Sequence, residues 1–127
     1  MGSILEMGQK LVEAANGGQA AEGQFVTDYY ADDIVSIEGG EDGGDMPSRL
    51  EGIDAIRGKH AWWFDNNDMH STTAVGPFIG KRDDQFVIHY TLDLTPKGGE
   101  RMQMSEVGIY TVVNDKIARE EYLYLMG

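Results

Sequence analysis

Apolar residues recur at helical spacing over residues 4–15, where Ile4, Leu5, Leu11, Val12 and Ala15 share one side of the repeat. Ser3 and Glu6 have the spacing of a capping box, and Gly17-Gly18 supplies a stop. A second helix is predicted over residues 20–30, with Phe25, Val26, Tyr29 and Tyr30 as its apolar stripe and Ala31-Asp32-Asp33 as its break. A strand over 34–38 follows. The longest amphipathic helix covers 53–66, where Ile53, Ile56, His60, Trp63 and Phe64 fall on one face. Beyond it strand character takes over, in stretches at 69–78, 85–95, 101–113 and 116–125 with turn clusters at 80–84, 96–99 and Asn114-Asp115. Helices first and an antiparallel meander afterwards predict an α+β domain, its three helices packed on a curved, mainly antiparallel sheet.

Register locates the inside of that sheet. Phe86, Ile88, Tyr90, Leu92 and Leu94 alternate with Val87, His89, Thr91 and Asp93, so the first set faces the core. A three-residue loop at Lys97-Gly98-Gly99, with glycine in the left-handed position, pairs Pro96 with Glu100. Met104 then lies opposite Leu92, Gly108 opposite Ile88 and Tyr110 opposite Phe86, apolar against apolar. A two-residue loop would set Met104 against Thr91 and Met102 against Asp93. In the favoured register Glu106 lies on the apolar face, opposite Tyr90. A carboxyl desolvated there has a raised pKa and calls for a partner, which Tyr90, Tyr110 or a ligand can supply. Two structural alternatives stand beside a functional role: a tie to a tyrosine or helix end, and a bulge that turns Glu106 outward.

Length and charge narrow the field. The 127 residues suit one domain, and a formal charge of −12 repels a phosphate backbone, so nucleic acid is excluded as an expected partner. There are no cysteines, hence no disulfides or thiolate zinc sites. No apolar run reaches membrane-spanning length and no signal core opens the chain, so a cytoplasmic protein with no membrane partner is expected. Residues 39–45 are glycine-rich and acidic, which reads as a solvated surface loop, with a lid or metal-binding loop as the alternative. The histidines show no local metal-ligand spacing, so no metal is expected. No glycine-rich phosphate loop or nucleotide fingerprint occurs, and none of the common cofactors is implied.

Three stretches carry a family resemblance. They are Tyr30-Ala31-Asp32-Asp33-Ile34-Val35-Ser36-Ile37-Glu38, Leu50-Glu51-Gly52-Ile53-Asp54-Ala55-Ile56-Arg57 and Tyr110-Thr111-Val112-Val113-Asn114-Asp115-Lys116-Ile117. Together they resemble the SnoaL-like branch of the nuclear transport factor 2-like superfamily, which includes ketosteroid isomerase. The resemblance spans nearly the whole chain as a single domain, residues 1–127. It implies a cone-shaped α+β barrel with three helices closing a strongly bent sheet around a pocket, commonly as a homodimer. It further implies that Glu38 stands where ketosteroid isomerase keeps its general base and Glu106 near its protonated carboxylic acid. Leu11 replaces that enzyme's oxyanion tyrosine, which leaves Tyr30, Tyr90 or Tyr110 as replacement donors.

The candidate catalytic residues are therefore Glu38 and Glu106, with Tyr30, His60, Trp63, Tyr90 and Tyr110 as candidate ligand-binding residues. His60 reads either as an acid or base facing the cavity or as a packed core residue. His70 and His89 read as surface or interface groups. Trp62, beside Trp63 on the helix, is expected to pack on a neighbouring element or a partner. Val87, Val107, Ile109 and Val113 make the convex face more apolar than a wet sheet face, which points to a homodimer through it. The expected function is proton transfer on a small apolar, carbonyl-bearing molecule, by an isomerase, cyclase or lyase. A non-catalytic ligand-binding or assembly module is the alternative, and a protein-partner role stands third.

Overall fold

The computed structural model describes residues 3–38 and 47–125. Helix α1 runs over Ile4–Asn16, and the Ser3 hydroxyl accepts the Glu6 backbone N–H at 3.0 Å, the cap expected from the sequence. Helix α2 is Gln19–Tyr29 and α3 is Ile53–Asn66. The strands are β1 (Tyr30–Glu38), β2 (Arg49–Glu51), β3 (Asn67–Phe78), β4 (Gln85–Pro96), β5 (Met102–Val113) and β6 (Lys116–Tyr124). Strand β1 starts earlier than the sequence reading placed it, because Tyr30 leaves α2 in extended conformation and pairs with Ile117. Strand β2 was not expected: three residues, two of them exposed, carry no usable alternation. The glycine-rich stretch 39–45 lies outside the described residues.

The six strands form one mixed sheet in the order β2-β1-β6-β5-β4-β3, with β1 and β6 parallel and the other pairs antiparallel. The outermost strands, β2 and β3, do not pair with each other, so the sheet is an open bent sheet where the resemblance implied a barrel. Helix α3 touches β1 and β2 at one end of the sheet and β3 at the other. It therefore spans the concave side while α1 lies on β3 and β4. Phe86, Ile88 and Leu94 of β4 are buried in the core with Leu11, Phe25, Ile34, Ile56 and Ile117.

The β4–β5 hairpin has the register read from the sequence, with Gly98 at φ +79° and Tyr90 facing Glu106. The next hairpin turns at Asn114 and Asp115, at φ 52° and 63°, as a two-residue turn with both central residues left-handed. Its ladder then slips. Val112 pairs with Ile117 but Thr111 pairs with Arg119, so Ala118 is an extra residue bulged out of β6. Beyond the bulge Glu120 lies opposite Tyr110, Tyr122 opposite Gly108 and Tyr124 opposite Glu106. All three consequently share the concave face with Tyr110 and Glu106. On the convex face Val87, Val107 and Ile109 are half-buried and Val113 is 52% exposed.

Candidate functional site

Between the concave face and the helices lies a cavity of about 340 Å³. Glu38 and Glu106 both border it, as do Tyr30, Tyr90 and Tyr110 from the sheet and His60 and Trp63 from α3. Trp62 borders it as well, a correction to the expectation that it packs elsewhere. Adjacent helix positions lie about 100° apart, and a cavity wide enough to subtend that angle touches both indoles. Leu11 of α1 contributes to the wall at the position where the resemblance puts an oxyanion tyrosine. His70 is exposed and bonds Thr95 through Nε2 at 2.7 Å, and His89 faces outward, opposite Val75 and Val107.

Several groups at the site escaped sequence reading. Lys59 of α3, only 12% exposed at its side chain, extends to the sheet: its Nζ lies 2.5 Å from Glu38 Oε1 and donates to Ser36 Oγ at 2.8 Å. The same nitrogen is 3.9 Å from Glu120 Oε1 and 4.9 Å above the Tyr122 ring. Tyr124 donates its hydroxyl to Glu38 Oε2, so both oxygens of Glu38 are engaged. Glu120 is completely buried. Its Oε2 accepts the hydroxyls of Tyr30 and Tyr122, each at 2.6 Å, while Oε1 faces Lys59 with no hydrogen bond. Tyr110 in turn bonds Tyr122 at 3.2 Å and Tyr90 at 2.5 Å, forming a line of phenols from the cavity wall to Glu120.

Local sequence explains this line. Phe86 stacks on the Tyr110 ring with centroids 5.1 Å apart, which fixes the ring plane. Gly108 makes room for the ring, since a Cβ there would stand 2.7 Å from the Tyr110 hydroxyl. Burial first, and the nearby Glu120 charge or neighbouring phenols next, raise the pKa of Tyr30, Tyr110 and Tyr122 well above the ordinary tyrosine value. These tyrosines are therefore neutral and each carries one hydrogen.

Glu106 differs from the other carboxyls. No hydrogen bond from a described residue reaches it. Burial, and then the charge of Glu38, push its pKa up to about 7 against the opposing effect of Lys59. Glu22 of α2 also borders the cavity and is raised to about 7, by burial and then by Glu120. Burial lowers the pKa of His60, so its imidazole is neutral at pH 7. Among the described residues no cluster of His, Asp and Glu is arranged to hold a metal ion, and no helix is long and apolar enough to cross a membrane.

Three helices on an open, bent mixed sheet, with a cavity between them, define a small protein of the nuclear transport factor 2-like, cystatin-like class. The chain belongs to the SnoaL-like domain family, whose profile matches residues 5–124. A crystal structure from Mesorhizobium loti, provisionally described as a SnoaL-like polyketide cyclase (carbohydrate phosphatase), is 35% identical with a TM-score of 0.86, covering 97% of this chain and all of that one. A protein from Jannaschia sp. CCS1, provisionally described in the same way as a polyketide cyclase, shares 15% identity and a TM-score of 0.70 over 98% of this chain and 89% of its own. A protein of ketosteroid isomerase-like fold from Catenulispora acidiphila, in complex with trimethylamine, superposes with a TM-score of 0.69 at 14% identity, over 95% of this chain and 86% of that one. Among curated proteins none matches the chain.

Proposed function

We propose that the cavity binds an apolar, carbonyl-bearing small molecule and that Glu106 moves a proton on it, in the manner of an isomerase, cyclase or lyase. The observation that carries this reading is the Glu106 carboxyl itself: inward on an apolar face, without a hydrogen bond from a described residue, and divided between acid and carboxylate near pH 7. As carboxylate it takes a proton from a carbon beside the carbonyl, leaving an enolate. As acid it returns that proton at another carbon, which completes an isomerisation. Attack of the enolate carbon on a second carbonyl of the same ligand instead closes a ring, and Glu106 then delivers the proton to the alkoxide formed. Glu38, its oxygens held by Lys59 and Tyr124, contributes charge beside Glu106 in place of a second free base. The relative provisionally described as a polyketide cyclase supports the class of reaction.

The test is a screen of cyclic and linear carbonyl compounds for turnover. In Glu106→Gln a found activity falls by ~10²-fold or more with the fold intact, whereas Glu38→Gln loses less. Turnover that survives Glu106→Gln overturns the assignment. The occupied oxygens of Glu38 favour a second reading, a binding module, which is marked by ligand affinity with no turnover in the parent protein. We further propose that a second copy covers the convex face around Val107 and Val113; sedimentation equilibrium at micromolar concentration checks this, and a monomer refutes it.

A further inference from the structure

A tyrosine has one hydrogen to donate, and at this site every such hydrogen is assigned by the network it belongs to. Glu120 Oε2 lies 2.6 Å from two phenol oxygens and Oε1 faces the Lys59 ammonium. Both phenols donate to Oε2, so Glu120 acts as the acceptor for both. Tyr30 and Tyr122 therefore donate to Glu120. With its hydrogen so used, Tyr122 can only accept from Tyr110. Tyr110, having donated to Tyr122, can only accept from Tyr90 across their 2.5 Å contact. Tyr124 donates to Glu38. All five phenolic hydrogens on this wall thus point along the wall toward a carboxylate, none into the cavity. The open end of the line is the hydroxyl of Tyr90, a residue that lines the cavity, and its oxygen accepts no hydrogen bond from any described residue.

We infer that Glu120 is a positioning residue that makes the tyrosine wall a hydrogen-bond acceptor at Tyr90, so that the ligand presents a hydroxyl there in addition to a carbonyl. This rests on the reading of the cavity as the ligand site. The wall has no hydrogen for a carbonyl oxygen, and the enolate oxygen left after proton transfer takes its hydrogen bond from the acid form of Glu106, the cross-strand neighbour of Tyr90. Specificity follows from direction: a donor at Tyr90 completes the line, whereas an acceptor there meets lone pairs against lone pairs.

Neutron diffraction from ligand-free, deuterium-exchanged crystals tests the direction itself. The expected nuclear density puts the Tyr90 deuteron on the line to Tyr110; a Tyr90 deuteron aimed into the cavity overturns the inference. Calorimetric titration with 2-naphthol and 2-methoxynaphthalene tests the consequence. The parent protein prefers the naphthol by about tenfold, the worth of one hydrogen bond, and Tyr90→Phe abolishes the preference. In Glu120→Gln the amide N–H group donates to a phenol and reverses the line, so the preference falls or inverts; a merely structural Glu120 weakens both probes alike and leaves the ratio unchanged, which refutes positioning. An equal or reversed preference in the parent also refutes it, and if neither probe binds the deuteron position decides alone. The preference is read as binding and needs no turnover, so loss of the proton-transfer reading and loss of this inference are separate outcomes.

Discussion

The ammonium of Lys59 meets the Glu38 carboxylate at 2.5 Å and, with the same nitrogen, faces Glu120 at 3.9 Å. One helix-borne cation thus answers carboxylates on two parallel strands, β1 and β6. Both carboxylates are shielded from water, Glu38 at 21% side-chain exposure and Glu120 at none. Removing the cation leaves two like charges facing each other in a poorly solvated place. Lys59→Met is therefore expected to lower unfolding free energy by roughly 3 kcal/mol, the scale for breaking a buried ion pair. The double variant Lys59→Met, Glu120→Gln recovers part of that loss. Urea unfolding of the four proteins, treated as a double-mutant cycle, measures the coupling, and an additive result would show that the two residues do not interact.

Stability should fall as the solution is made less acidic. Glu22 and Glu106 hold their protons up to about pH 7 in the folded protein, against an ordinary value of 4.5. Between those limits the folded state binds more protons than the unfolded state, so their contribution is full at low pH and is lost as pH rises through about 7. Glu106→Gln removes one titrating group, and its advantage over the parent should be greater at pH 8 than at pH 5 by roughly 2 kcal/mol. Denaturant unfolding at the two values checks this; a pH-independent difference refutes burial as the origin of the shift.

Gly108→Ala should disturb the site more than its one methyl suggests. The added Cβ would lie 2.7 to 2.9 Å from three atoms of the Tyr110 ring end, and that ring is buried, stacked on Phe86 and bonded to two other phenols. The ring cannot swing aside without breaking those bonds. A loss of roughly 1–3 kcal/mol is expected, read as a lower midpoint in thermal unfolding.

The end of α1 is tied to β3 by a single side chain. Asn16 accepts the Ala74 N–H at 2.8 Å through Oδ1 and donates to the Ala74 carbonyl at 3.2 Å. Asn16→Ala leaves both backbone groups to find other partners in a partly buried seam, at a cost of about 1–3 kcal/mol. Amide exchange at Ala74 should accelerate in that variant while exchange in the β4–β5 hairpin stays slow.

What could be read from the sequence follows from what side chains reveal about their backbone. The α1 cap, the extent of α3 and the β4–β5 register were legible because each has a local signature: a serine with its N3 partner, a sustained apolar stripe, and a glycine loop that leaves only one sensible pairing. That register alone put Glu106 on the inner face. Glu120, Tyr122 and Tyr124 were hidden because regular alternation from Ile117 turns them outward, and no residue type announces a bulge at alanine. Residue type alone gives Lys59 no mark as a site residue, although it lies three residues from Ile56 and four from Trp63, along the same stripe. Ser36 carried a fainter signal, since it shares the strand phase of Ile34 and Glu38 on β1.

The bulge at Ala118 bears on how this scaffold acquires its chemistry. Ala118 and Arg119 together occupy the place of one residue between Ile117 and Glu120, so the strand behaves like a text read in a shifted frame. Without that shift the inner positions beyond Ile117 would be filled by Arg119, Glu121 and Leu123, a cation, an acid and an aliphatic in place of an acid and two phenols. Excising Ala118, by contrast, would straighten the strand and leave Glu120, Tyr122 and Tyr124 in phase. The phase of the strand between the last turn and the pocket is thus a variable independent of residue identity, and whether its extra residue is bulged out or held in line decides the wall of the cavity while the helices and the rest of the sheet stay as they are.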